Sequence, residues 1–135
     1  MAHSMTFHAD QIQKALDSKA ERVSDADVAR IIELRSAVEE KIATFPDAQR
    51  DAREQANLLL DFLAARASTP VTSETKQAAA ALLYLSAPVD LVPDHEPGGF
   101  DDDAAVLALA TGRIRGALRA FCASSGRAAP SWLSD

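Results

Sequence analysis

Between residues 90 and 103 the chain gathers six acids, Asp90, Asp94, Glu96, Asp101, Asp102 and Asp103, with no Lys or Arg among them. Carboxylates converging on one turn are hard oxygen ligands, suited to Mg²⁺, Mn²⁺ or Ca²⁺. Asp90, Asp94, Asp102 and Asp103 are the candidate metal ligands, and hydrolysis is the reaction such a centre could support. The spacing is not that of an EF-hand. Counted from Asp90, position 3 is Val92, position 6 is His95 rather than Gly, and position 12 is Asp101 rather than Glu. No Glu-x-x-His pair of the helical di-metal kind is present, and a zinc site would have only His95 as a nearby nitrogen ligand. Apart from His3-Ser4 in the start read as added, no Ser stands beside a His, and no Gly-rich phosphate loop exists, so no residue is assigned as catalytic.

The same acids also fit a purely structural role. Pro88 and Pro93 hold the residues before them extended, which ends any preceding helix near Ser86. Asp90 can accept backbone N–H groups just beyond it, as an Asx turn or cap, and Gly98 and Gly99 allow close backbone approach. The run Asp101–Asp103 then meets the start of a helix, where unpaired N–H groups and the dipole stabilise acids by about 0.3–1 kcal/mol each. Phe100, just before that start, is placed to act as a hydrophobic staple on Ala105 or Val106.

The elements that must position this turn are helices. Strand signals are nearly absent and the apolar spacing follows a helical period. Five helices are expected. The first covers 6–22, with Ile12, Leu16 and Ala20 on one face. The second opens at 24-SDAD-27, with Ser24 as N-cap and Asp27 at the capping-box position, and ends at Pro46. Its face is Val28, Ile31, Ile32, Val38, Ile42 and Phe45. The third runs from 46 or 47 to 67 with a stripe of Ala52, Ala56, Leu59 and Leu63, widened by Leu60 and Phe62. Thr69 before Pro70 suits the next N-cap, with Thr72 or Ser73 as alternatives. The fourth, ending near 86, contains 78-AAAALLYL-85, apolar on nearly all sides, and should be the most buried. The fifth begins near 101 or 102 and runs to 124, with Gly126 as its C-cap region. The fold class is therefore all-α, a small bundle of about five helices whose last two form a hairpin around an acidic Pro/Gly turn. Residues 1–5 read as an added or disordered start, 6–125 as a single helical domain and 126–135 as a tail.

Composition bounds the partners. Hydrophobic residues make up 47% and charged residues 25% of the 135, and the net charge is −6. That balance argues against nucleic acid as a partner. Arg113, Arg115, Arg119 and Arg127 lie in an acid-free region, where cations suit a helix end. The one cysteine, Cys122, allows no internal disulfide and reads as a buried small hydrophobe, which fits a cytoplasmic location. No signal peptide is expected, and the longest uncharged run, Gln77 to Val89, is 13 residues, too short to span a membrane.

The run Ala81-Leu-Leu-Tyr-Leu-Ser-Ala-Pro-Val-Asp-Leu-Val-Pro-Asp94, followed by Gly99-Phe100 and Asp102-Asp103-Ala-Ala-Val106, resembles the YkvA-like domain, a short helical domain of unknown function. The resemblance covers about 78–121. Tyr84, Pro88, Asp90, Leu91, Pro93, Asp94, Gly99, Asp102 and Asp103 carry its motif. It implies a helical hairpin around a proline-containing acidic turn, with no established reaction, substrate or cofactor. Some larger relatives carry the domain beside membrane segments, so membrane proximity is one implied context. Here the chain departs from the pattern. The usual apolar loop is replaced by His95-Glu96-Pro97-Gly98, and Asp101 stands where an apolar residue is usual. Burying Glu96 or Asp101 in lipid unpaired would cost several kcal/mol. The expected function is a non-enzymatic interaction or scaffolding module that needs no cofactor and acts through a protein partner or self-association. The alternative is the divalent-metal site on Asp90, Asp94, Asp102 and Asp103.

Overall fold

The computed structural model describes residues 2–66, 69–86 and 99–133, with side chains described from residue 11 onward and, in the last of these stretches, from 104. Among these residues there are seven α-helices and no strand: α1 (Ala2–Arg22), α2 (Asp25–Glu33), α3 (Arg35–Ala43), α4 (Arg50–Ala65), α5 (Ser73–Ser86), α6 (Gly99–Arg113) and α7 (Arg115–Ser124). Short 3-10 turns occupy Asp47–Gln49 and Ser131–Leu133. The all-α bundle is as expected; the number of helices is not.

The two extra helices come from joints inside expected helices. At Leu34, with ψ 19, α2 gives way to α3. Leu34 keeps its own two helical bonds, its N–H donating to Arg30 at 2.9 Å and its carbonyl accepting from the Val38 N–H at 3.1 Å. No glycine or proline marks this joint, but Arg35 just beyond it reaches Asp61 of α4 and Glu39 of its own helix. At Ile114, with ψ 27, α6 gives way to α7. Here the causes are visible. Gly112 and Gly116 flank the joint, and the Thr111 hydroxyl donates back to the Leu107 carbonyl at 2.9 Å, a bond that bends helices.

The caps follow the residue types with one exchange. Ser24 and Asp27 form the expected capping box, the Ser24 N–H donating to Asp27 at 3.0 Å and the Asp27 N–H to Ser24 Oγ at 3.4 Å. Thr69 does not cap α5. Its hydroxyl donates to the Arg66 carbonyl at 2.9 Å and so closes the end of α4, while Thr72 accepts the Thr75 N–H at 3.2 Å and caps α5. Pro70 lies between the two, so the helix starts only after it. α1 starts earlier than expected because no glycine or proline precedes Pro46 to stop it. Phe100 lies inside α6 rather than ahead of it, so it does not hold the expected staple position.

One hydrophobic core runs from Ile12 to Leu133. α5 is its axis and packs against α1, α2, α3, α4 and α6. Ala78, Ala79, Ala80, Ala81, Leu82 and Leu85 are each 0% exposed, as the apolar run predicts. α6 packs in turn on α1, α4 and α5. Arg113 fastens that arrangement, donating to Asp17 of α1 at 2.6 Å and Gln77 of α5 at 3.3 Å. Cys122 is free and buried.

After α7 the chain turns back over α4. Gly126 takes φ 71, its N–H reaches the Ala123 carbonyl at 3.4 Å, and the Arg127 N–H reaches Cys122 at 2.9 Å. This is a Schellman cap, which needs the left-handed residue. Arg127 then pairs with Asp61 at 2.6 Å and covers the Phe121 ring at 5.5 Å. Leu133 is buried at the end of the tail. A glycine pair separates the two backbone effects. Gly126→Ala is expected to lower stability by about 1 kcal/mol, because a Cβ is strained at positive φ. Gly116→Ala, where an added Cβ meets nothing within 4 Å, is expected to raise it by about 0.5–1 kcal/mol. Urea denaturation followed by helicity checks both signs, and a stabilised Gly126→Ala would refute the capping role.

Candidate functional site

The motif read from the sequence spans the end of α5 and the start of α6. Tyr84, the motif residue on α5, is 4% exposed, and the helix ends two residues later at Ser86. Pro88, Asp90, Leu91, Pro93 and Asp94 lie outside the described residues. α6 opens at Gly99, which places Asp101, Asp102 and Asp103 in its opening turns. The backbone N–H groups there lack intrahelical acceptors, so the positions suit acids. The side chains of Asp102 and Asp103 lie outside the description, as do all four candidate metal ligands. Among the described residues no group of three His, Cys, Asp or Glu side chains is placed to hold a metal ion.

A polar network joins α3, α4 and the tail. Asp61 of α4 accepts from Arg35 at the start of α3 and from Arg127 of the tail. Asp61, and then Glu39, hold the Arg35 guanidinium above its ordinary pKa by hydrogen bonding to its charged form. Asp61 is partly exposed, so this network orders three chain segments more than it adds stability. The sequence expectation that these arginines serve helix ends is therefore too narrow. Arg113 and Arg127 bind acids far away in the chain, Asp17 and Asp61.

A second polar feature was not foreseen. Where α4 passes the α6–α7 joint, a cleft of about 220 Å³ is lined by Gln55 from α4, by Thr111, Gly112 and Arg115 around the joint, and by Trp132 and Leu133 from the tail. The Trp132 N–H donates to Glu54 at 2.9 Å, which fixes the indole along the wall. Gln55 is only 8% exposed. In sequence it is one polar residue inside an apolar stripe. The signal that could have found it is its register: it lies three residues after Ala52 and four before Leu59 of the inward stripe.

No helix among the described residues is long and apolar enough to cross a membrane. No curated protein and no solved structure matches the chain. Residues 77–109 match the family described as Protein of unknown function (DUF1232), so the YkvA-like resemblance read from the motif holds over α5, the acidic connection and the first part of α6.

Proposed function

We propose that the chain is a non-enzymatic interaction module whose contact element is the acidic connection 87–98. The single observation that supports this reading is where the connection is rooted. α5 packs against five other helices, so the connection leaves from the best-anchored part of the bundle. Asp90, Asp94 and Glu96 in this stretch, unaccompanied by Lys or Arg, suit a partner with a basic surface. Self-association through α5 has little to support it, because its apolar faces are already covered by neighbouring helices. Leu34, at 46%, is the one exposed large hydrophobic residue among the described ones. A cytoplasmic location goes with this reading, since the single cysteine is free and buried and asks for no oxidising compartment.

The test compares the protein with the double variant Asp90→Asn, Asp94→Asn, each carrying a photo-crosslinking residue at position 95. A discrete adduct formed by the parent and lost in the variant, with an unchanged melting temperature, is the expected result. Adducts indifferent to the two substitutions would remove the reading. The rival is a divalent cation held by Asp90, Asp94, Asp102 and Asp103. Melting with and without millimolar Mg²⁺, Mn²⁺ or Ca²⁺ separates the two, because an ion bound at a hundred times its Kd would add about 2.7 kcal/mol. The interaction reading expects no such rise, nor any ion-dependent difference between the parent and Asp94→Asn.

A further inference from the structure

The tail is fastened to the bundle in a way that lets it move as one piece. Arg127 pairs with Asp61 of α4 at 2.6 Å, the Trp132 N–H donates to Glu54 of α4 at 2.9 Å, and Leu133 is 1% exposed within the core. Glu54 and Asp61 are seven residues apart, two turns of α4, so both latches lie on one face about 10 Å apart. The tail therefore runs antiparallel along that face. Between the latches Ala128, Ala129 and Ser131 are exposed, and among the described residues no backbone hydrogen bond ties 128–133 to another element. The fastenings are made by side chains, and none belongs to a ladder that removal would break. One residue, Gly126 at φ 71, turns the chain from α7 onto α4.

The fit between tail and α4 is one of charge and shape: a cation on a carboxylate, an indole N–H on a second carboxylate, and a leucine in the core. An identical α4 on a second copy offers the same three seats. Rotation at Gly126 out of the left-handed region carries the tail off its own α4, since glycine takes either sign of φ. It gives up only the two capping bonds at the end of α7, from the Gly126 and Arg127 N–H groups. We propose that two copies of the chain exchange their tails, residues 127–133 of each lying on α4 of the other. The exchange is reciprocal, so it closes as a two-fold dimer and does not propagate. Its contacts with α4 equal those given up. The balance is then set by the local concentration of a tethered tail, on the order of millimolar, and by strain at the hinge, which both copies release together. The exchange makes no use of the 87–98 connection and stands whether or not that segment recruits a partner.

Reciprocal charge reversal tests the exchange. Asp61→Arg and Arg127→Asp each set like charges against one another, both in a closed monomer and in a dimer of that variant alone. Only a dimer holding one copy of each pairs both tails with opposite charges. Equimolar mixing of the two full chains is expected to give that mixed dimer, read by native mass spectrometry, in clear excess over dimers of either variant. Gly126→Ala strains the closed turn and not the exchanged one. It is expected to tighten the dimer about thirtyfold, from roughly millimolar to tens of micromolar, as for two hinges each relieved of about 1 kcal/mol. Sedimentation of the full chain measures this. A mixture that stays monomeric up to its solubility limit overturns the proposal, and so does a mixed dimer no more abundant than dimers of one variant. Should Asp61→Arg, which also faces Arg35, fail to fold, Gly126→Ala carries the test, and a chain no more dimeric than the parent overturns the exchange equally.

Discussion

Phe62→Ala is expected to lower the free energy of unfolding by about 3–5 kcal/mol. Phe62 is 0% exposed on α4. Its ring meets Phe121 of α7 edge-on, centroids 5.8 Å apart and planes at 88°. The Arg66 guanidinium lies over the same ring, 4.2 Å from its centroid. Truncation therefore removes an apolar volume that α4 and α7 share, one aromatic pair, and the seat of a cation. The aromatic pair adds about 0.5–1.5 kcal/mol beyond burial, and the cation contributes less because it is only half-buried. Small domains hold about 5–15 kcal/mol in all, so the variant should be close to unfolding. Urea denaturation followed by helicity gives the number. Phe62→Leu, which keeps most of the volume, should lose under half as much, and a loss near zero for the alanine variant would mean that α7 is not seated on α4 as described.

Ala80→Leu is the second large effect, and helix propensity does not account for its size. Leucine and alanine are both good helix formers, so an isolated α5 would be nearly indifferent. In the bundle, four consecutive alanines, Ala78 to Ala81, are each 0% exposed and the helix has neighbours on all described sides. Extra methylenes have nowhere to go, and overpacking costs about 1–3 kcal/mol. The same change at Ala37, exposed on α3, is the control and should be nearly neutral. Equal melting temperatures for the two variants would show that α5 has room around it.

These two effects indicate how far the sequence could be read. Burial followed the apolar period closely. Ile12, Leu16 and Ala20 turned inward together, as did Ala52, Ala56, Leu59 and Leu63, because a helical face is a local property of spacing. Ser24 with Asp27, and Gly126, were legible as caps for the same local reason. The joint at Leu34 was not legible, since its residues are ordinary helix formers and no glycine or proline marks it. The joint at Ile114 could have been suspected from Thr111-Gly112 and Gly116, had the back-bonding threonine been weighed with the glycines. Thr69 and Thr72 are alike in type, and only the position of Pro70 between them decides which helix each one serves.

The candidate sites divide differently. The acidic motif was legible as a pattern, from Tyr84 through Asp103, and the match over residues 77–109 agrees with it. Most of the described side chains in that match, among them Ala78 to Leu82, Tyr84, Leu85, Val106 and Leu107, are core. Much of the matched stretch is thus the packing of two helices. The Gln55 cleft was illegible because its groups come from three distant stretches. Gln55, Arg115 and Trp132 have no common spacing. Their proximity exists only once the Schellman turn at Gly126 has brought the tail back over α4.

The enclosure of α5 has a consequence for how such a chain can diversify. A helix ringed by neighbours cannot acquire a new contact by surface change, since nearly every replacement on it disturbs packing first. Sequence drift is therefore channelled to the outer faces of α2, α3 and α7, to the tail, and to the 87–98 connection. His95 and Glu96 in that connection, and Asp101 at the start of α6, already set this chain apart from the apolar pattern of the family it resembles. Variation among relatives should then look like one unchanging helix carrying interchangeable loops.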